Sequence, residues 1–207
     1  MKLATLVLIL SPIIGFSQSF EGTITYANRY KSKSTQVTDE QLSSMMGTTQ
    51  EYYIKGGDYK SAFNGGFIKM QLYKAKENKS YTLTAKSDSL YWEDYGNNKD
   101  VATSFEVEKA KETILGQLCD VITVITPKSR TSYFYTSKYG INPGLFIKHQ
   151  YGNWYYMVSR AKAVPLKTVY EDAQLVLTST AVKITATSLS DSTFSLTDER
   201  KVLPAIW

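Results

Sequence analysis

A chain of 207 residues can bury a core without disulfides, and it has room for about one domain plus a leader. Its single cysteine excludes an intramolecular disulfide and a multi-cysteine metal centre, and its single histidine excludes most zinc sites. The net charge is +5, but its 24 lysines and arginines are spread thinly, which describes a solvated basic surface and not the clustered stripe that nucleic acid requires.

Met1-Lys2 is a short basic start, residues 3–14 are an apolar run, and Gly15-Phe16-Ser17 supplies small residues at a cleavage site. This reads as an export signal over 1–17, leaving a single mature domain over 18–207. The run is too short to span a membrane comfortably, and no later stretch reaches that length. An exported lipoprotein carries a cysteine just after its leader. Here the only cysteine is Cys119. The expectation is an exported protein, periplasmic or extracellular, neither membrane-spanning nor lipid-anchored.

The mature part opens at 20–30, where Phe20, Gly22, Ile24 and Tyr26 alternate with polar residues as in a half-buried strand. Residues 38–47 read as a helix. Thr38 and Gln41 form a capping box, Asp39 and Glu40 suit the positive end of the dipole, and Gly47 closes it. Leu42, Met45 and Met46 form one apolar stripe on it. Strands follow at 50–55, 59–63, 67–73, 79–84 and 89–94. Gly56-Gly57-Asp58 and Asn64-Gly65-Gly66 sit between as hairpin signals. Residues 95–99 read as a turn, and 104–110 as a strand with Phe105 and Val107 opposite Glu106 and Glu108.

Residues 112–126 hold the longest β-branched run, with Val121, Ile122, Val124 and Ile125. They read as the central strand of a sheet, bent at Gly116. Strands at 130–136, 165–171 and 174–189 follow. Residues 152–156 read as a turn entering an aromatic strand, and 191–196 as a short strand. Roughly ten strands with tight turns and one or two short helices imply an antiparallel sheet that must curl.

The order of motifs resembles that of a secreted bacterial domain of unknown function related to the lipoprotein-carrier (LolA/LolB-like) superfamily. The residues that carry the likeness are the opening Phe20–Tyr26, the methionine-bearing helix, Glu112-Thr113-Ile114-Leu115-Gly116-Gln117-Leu118-Cys119, the aromatic strand ending in Tyr135-Thr136, and Asn142-Pro143-Gly144. Gln117-Leu118 depart from the aromatic-basic pair common in such relatives. The resemblance implies a mainly β fold: a strongly curved antiparallel sheet, a half-open barrel, with one or two short helices over its concave face. It also implies a carrier that holds an apolar ligand, a lipid or lipoprotein acyl chain, in that concavity. The residues expected to line it are Leu42, Met45, Met46, Ile68, Met70, Leu72, Trp92, Phe134 and Trp154.

Other chemistry is weakly signalled. Glu106 and Glu108, with Glu93/Asp94 or Glu171/Asp172, could pair as in glycoside hydrolysis, but solvent-facing charges explain them equally well. Cys119 has no basic neighbour in sequence and reads as inert, and His149 as a packing or surface residue. No phosphate loop, nucleophile elbow or metal motif occurs, so no catalytic residue, metal or cofactor is expected. The alternative function is an interaction module of the cell envelope that binds another envelope protein through its sheet surface or edge.

Overall fold

A computed structural model describes residues 19–196 and 200–206. The expected leader over 1–17 and the terminal Trp207 lie outside them. The fold is one sheet in two wings. The first is a meander of β1 (Gly22–Ser32), β2 (Thr49–Lys55), β3 (Asp58–Phe63), β4 (Ile68–Lys74), β5 (Lys79–Thr84) and β6 (Leu90–Asp94). Helix α1 (Asp39–Met46) interrupts it after β1. The second wing contains β7 (Ser104–Ile114), β8 (Gln117–Ile125), β9 (Arg130–Gly140), helix α2 (Trp154–Ala161), β10 (Ala163–Glu171) and β11 (Leu175–Ala186). A short β12 (Val202–Pro204) then runs parallel to β6.

The strand order is β12-β6-β5-β4-β3-β2-β1-β11-β10-β9-β8-β7, so the two wings join where β1 pairs with β11. Every pairing but β12 with β6 is antiparallel, and the sheet does not close on itself. It curls instead. Register shifts at Thr25/Tyr26, Ile68/Met70 and through Ala163–Lys167 bend individual strands, as bulges do. The half-open barrel expected from the sequence is the architecture found.

The concave face carries the main core. Ile24, Tyr26, Tyr52, Ile54 and Tyr73 of the first wing meet Ile122, Val124, Tyr133 and Leu166 of the second, and α2 packs Met157 and Val158 into them. Consecutive strand residues point to opposite faces, so Leu72, beside Tyr73, points outward. There it joins Tyr81 and Phe194 in a second cluster, covered by a 3-10 turn at Asp191–Phe194. That turn stands where a strand was expected over 191–196.

Three local expectations need correction. Residues 112–126 are not one central strand. They are the hairpin of β7 and β8, the last two strands at one edge of the sheet. Leu115 (φ 48°) and Gly116 (φ 71°) form its left-handed two-residue turn, so Gly116 turns the chain and does not bend the sheet. The Trp154–Tyr156 segment is helical and not a strand. Trp154, Met157, Val158 and Ala161 fall at i, i+3, i+4 and i+7, and that period outweighs the β-propensity of aromatics. Helix α1 has the expected capping box, with the Thr38 hydroxyl accepting from the Gln41 amide, but it buries no residue. It lies against β1 and the β3–β4 turn, where the Gly66 and Phe67 amides donate to the Ser44 and Met45 carbonyls.

Candidate functional site

The concave face is divided. One part is filled by the segment from β9 to α2, and the rest is an open cavity of about 990 Å³.

His149 is the centre of the filled part. A 3-10 turn at Pro143–Phe146 delivers it, and its amide donates to the Phe146 carbonyl at 2.8 Å. Its side chain is 2% exposed. Nε2 shares a 2.7 Å hydrogen bond with the Tyr59 hydroxyl. Ring centroids of Tyr73, Tyr95, Tyr59 and Trp154 stand 4.5, 4.8, 5.9 and 6.0 Å away. Burial pushes the imidazole down to about 3, so it is neutral, and Nδ1 has no partner. Burial also raises the phenols of Tyr59 and Tyr95, and pushes Tyr73 up to about 12. Enclosed by rings and neutral phenols, the imidazole packs here as a neutral group that shares one hydrogen bond with Tyr59.

The cavity opens beside this plug. Its sheet wall comes from three adjacent strands: Thr131 and Tyr133 of β9, Thr168 and Tyr170 of β10, and Leu177 of β11. The register aligns them, with Tyr133 opposite Thr168 and Tyr170 opposite both Thr131 and Leu177. The facing rim is Trp92, Glu93 and Asp94 of β6, with Pro204 and Ala205 along it. β6 and β10 are far apart in the hydrogen-bonded order, so only the curl of the sheet brings them to one space.

The loop after β6 and the chain before α2 complete the lining with Asn97–Asp100 and Tyr151–Asn153. Asn153 ties the two together. Its side-chain oxygen accepts from Asn98 (2.7 Å) and from the Ala102 amide (2.9 Å), while its amide nitrogen donates to the Asp100 carbonyl (2.9 Å). Its φ of 59° is the left-handed region that asparagine tolerates better than most residues. The Asp100 carboxylate fastens the loop to the β8–β9 turn. Oδ2 accepts from the Thr126 hydroxyl and, at 3.2 Å, from that of Ser129, but buried Oδ1 has no partner. The Tyr151 ring stacks on Tyr95 at 4.4 Å with 6° between planes and is 44% exposed.

The residues expected to line a ligand site do not converge here. Trp92 alone lines the cavity, at its rim, where it also packs against the outward cluster, with the Lys79 ammonium 4.1 Å from its ring centroid. Leu72 and Met70 belong to the outward cluster. Ile68 is half-buried beside a register shift in β4. Phe134 follows Tyr133 on the opposite face, under the Lys167 ammonium at 4.9 Å. Trp154 is part of the filled core beside His149. Leu42 and Met46 are half-buried and Met45 is 49% exposed on α1, away from the cavity.

Sequence reasoning passed over most of the actual lining: Asn98 in the turn read over 95–99, Asp100 just after it, Tyr151 and Tyr170, with Tyr133 read as sheet packing in preference to a cavity wall. The one signal for them is the aromatic alternation on 130–136, which carries Tyr133 and also fits ordinary sheet packing; Tyr151 and Tyr170 have none. Among the described residues no cluster of histidine, cysteine and carboxylates could hold a metal, and no helix is long and apolar enough to cross a membrane. Cys119 is buried and free, and burial raises its thiol above the ordinary value.

No family model matches the sequence, and no curated protein does. Among solved structures, one of PNGF-II is similar over 90% of this chain, at 11% identity and a TM-score of 0.51. A second PNGF-II structure is similar over 91%, at 13% identity and a TM-score of 0.50. Each match takes in 32% of the longer PNGF-II chain, so this chain spans about a third of the length of those structures. The LolA superfamily protein NE2245 from Nitrosomonas europaea is similar over 87% of this chain and 91% of its own, at 11% identity and a TM-score of 0.38. At these identities the likeness to PNGF-II is one of fold: a curved, unclosed and mainly antiparallel sheet.

Proposed function

We propose that this is a non-enzymatic binding protein of an exported compartment, carrying a small amphipathic or apolar molecule in the cavity between β6 and the β9–β11 wall. The observation that carries this reading is the cavity itself. At about 990 Å³ it lies at the upper end of the range of small-molecule pockets. Aromatic and aliphatic side chains on three adjacent strands line it, with polar groups at the loop. Binding would come from burial of ligand apolar surface, roughly 0.8 kcal/mol per methylene, with no bond made or broken. A lipid or a lipoprotein acyl chain fits that description. The enclosed, neutral state of His149 supports a reading without chemistry. Envelope-protein recognition through the sheet edge is the weaker reading, because a filled concave face would favour it and this one is half open.

Native mass spectrometry after expression in a bacterial periplasm tests the proposal, together with displacement of an apolar fluorescent probe by single-chain amphiphiles. A co-purifying ligand or a displaceable probe is expected, and Leu177→Trp, which fills the cavity from its wall, should abolish both. An empty protein that ignores every amphiphile would overturn the proposal.

A further inference from the structure

The cavity's lining carries a charge pattern opposite to that of the chain. The whole protein has a net charge of +5, yet the lining holds three carboxylates, Glu93, Asp94 and Asp100, against one ammonium, Lys99. We propose that the preferred ligand is an amphiphile with a cationic head group, an ammonium, and that Asp100 is its counter-charge. This rests on the binding function proposed above and names the ligand chemistry for the same cavity.

The first support is an incomplete hydrogen-bond set. A carboxylate accepts at two oxygens. The Asp100 Oδ2 atom has the hydroxyls of Thr126 and Ser129, but Oδ1 is buried and accepts from no donor. The charge of a carboxylate held in this way is only partly compensated within the fold, and a cation in the adjoining cavity compensates it through space without touching Oδ1. Asp100 is also fixed before any ligand arrives. Its carbonyl is held by Asn153 and its carboxylate by the β8–β9 turn. A ligand therefore meets a negative charge fixed in place and orders little on binding.

The second support is the aromatic lining around that point. Tyr151 has one ring face covered by Tyr95 and is otherwise exposed at the cavity. Tyr170 donates its hydroxyl to Asp172 at 2.9 Å, which leaves its ring as what it offers to the cavity. Aromatic faces beside a carboxylate are the chemistry that recognises ammonium groups. The fold already uses it internally, with Lys79 over Trp92, Lys167 over Phe134 and Arg160 over Tyr156. A carboxylate or phosphate head would face three like charges with Lys99 as the one cation in the lining. A bare divalent cation is a poor candidate, because no cluster of three acidic or imidazole ligands converges among the described residues.

The test uses the full chain and three probes with the same twelve-carbon tail: dodecyltrimethylammonium, dodecanoate and an uncharged dodecyl glycoside. Each displaces an apolar fluorophore at low salt and again at high salt. The cation should bind about ten-fold more tightly than the carboxylate at low salt, and the gap should narrow as salt screens it. Asp100→Asn should lower that preference about five-fold, and Glu93→Gln, remote from the Asn153 contacts, should lower it in the same direction if Asp100→Asn proves unstable. Equal or tighter binding of dodecanoate would overturn this inference and leave the binding function standing, as would an unchanged preference in both variants. Failure of all three probes would overturn both.

Discussion

Replacing the one histidine offers a test of how the concave face is filled. The imidazole of His149 is neutral in the fold, pushed from 6.5 down to about 3 by burial among Tyr59, Tyr73, Tyr95 and Trp154. In the unfolded chain it binds a proton near its ordinary value. The unfolded state therefore holds more protons between about pH 6.5 and 3, and stability falls as pH drops through that window. Above about 6.5 both states are neutral and the term is flat. Each pH unit inside the window is worth about 1.4 kcal/mol, so lowering pH from about 7.5 to about 5 should cost about 2 kcal/mol. The carboxylates held below their ordinary values, Asp39, Glu40, Asp120, Asp172 and Asp191, lose their contributions mainly as pH falls further, through the range below 4.5 for Glu40 and below 3.8 for the others. The interval thus isolates the histidine. Urea denaturation at the two pH values reads the change as a midpoint shift of about 1 M, for a slope of about 2 kcal/mol/M. His149→Gln keeps a polar partner for the Tyr59 hydroxyl and removes the titration, so its two midpoints should nearly coincide even if both are lower. A single imidazole proton resonance, unshifted in the fold down to about pH 4.5, would agree. An identical pH dependence in the variant, or a wild-type shift under about 0.5 kcal/mol, would refute the reasoning.

Three further outcomes follow from backbone geometry and the loop. Leu115 holds a left-handed φ of 48° in the β7–β8 turn and is 42% exposed, so Leu115→Asn should stabilise the fold by about 0.5–1 kcal/mol in thermal or urea melts. A Cβ at Gly65 would stand 2.5 Å from the Gly47 nitrogen and 2.6 Å from the Met45 carbonyl oxygen. Because these are backbone atoms, Gly65→Ala should cost about 2 kcal/mol and speed amide exchange in α1 more than in β9 or β10. Asn153→Ala removes three hydrogen bonds and puts alanine at φ 59°, so it should cost about 2–3 kcal/mol and weaken probe binding.

Much of the fold was legible because its signals are local. The Thr38–Gln41 capping box and Gly47 bound α1 to within a residue, and Gly56-Gly57 and Gly65-Gly66 mark the turns of the first wing. The second wing was harder. Its strands differ from one another: β7 is charged and exposed along most of its length, while β8 buries Cys119, Val121, Ile122, Thr123 and Val124 without alternation. A run that reads as central can then lie next to an edge, because α2 packs over it, with Met157 and Val158 joining Ile122 and Val124 in the core. The site was least legible of all. Its lining combines strands separated by most of the sheet with a loop whose Asn98 and Asp100 look like ordinary turn residues. The methionine stripe of α1 follows helical periodicity, yet it caps the end of β1 and the β3–β4 turn instead of the concavity. Periodicity tells which face of an element is apolar but not what it meets.

The pairing of β1 with β11 has a kinetic consequence. Within each wing, most neighbouring strands are joined by short connections and can zip up locally; only the α1 segment between β1 and β2 and the α2 segment between β9 and β10 are longer. The join between the wings pairs Gly22 with Ala186 and Ser32 with Leu175, across nearly the whole described chain. Closing so long a loop is slow, and the entropy it costs is recovered only when the long ladder forms. Two preformed half-sheets, each with an open edge, would therefore wait on a single late docking event. Substitutions along that ladder should show mainly in how fast the protein falls apart, and substitutions in the wing hairpins in how fast it assembles.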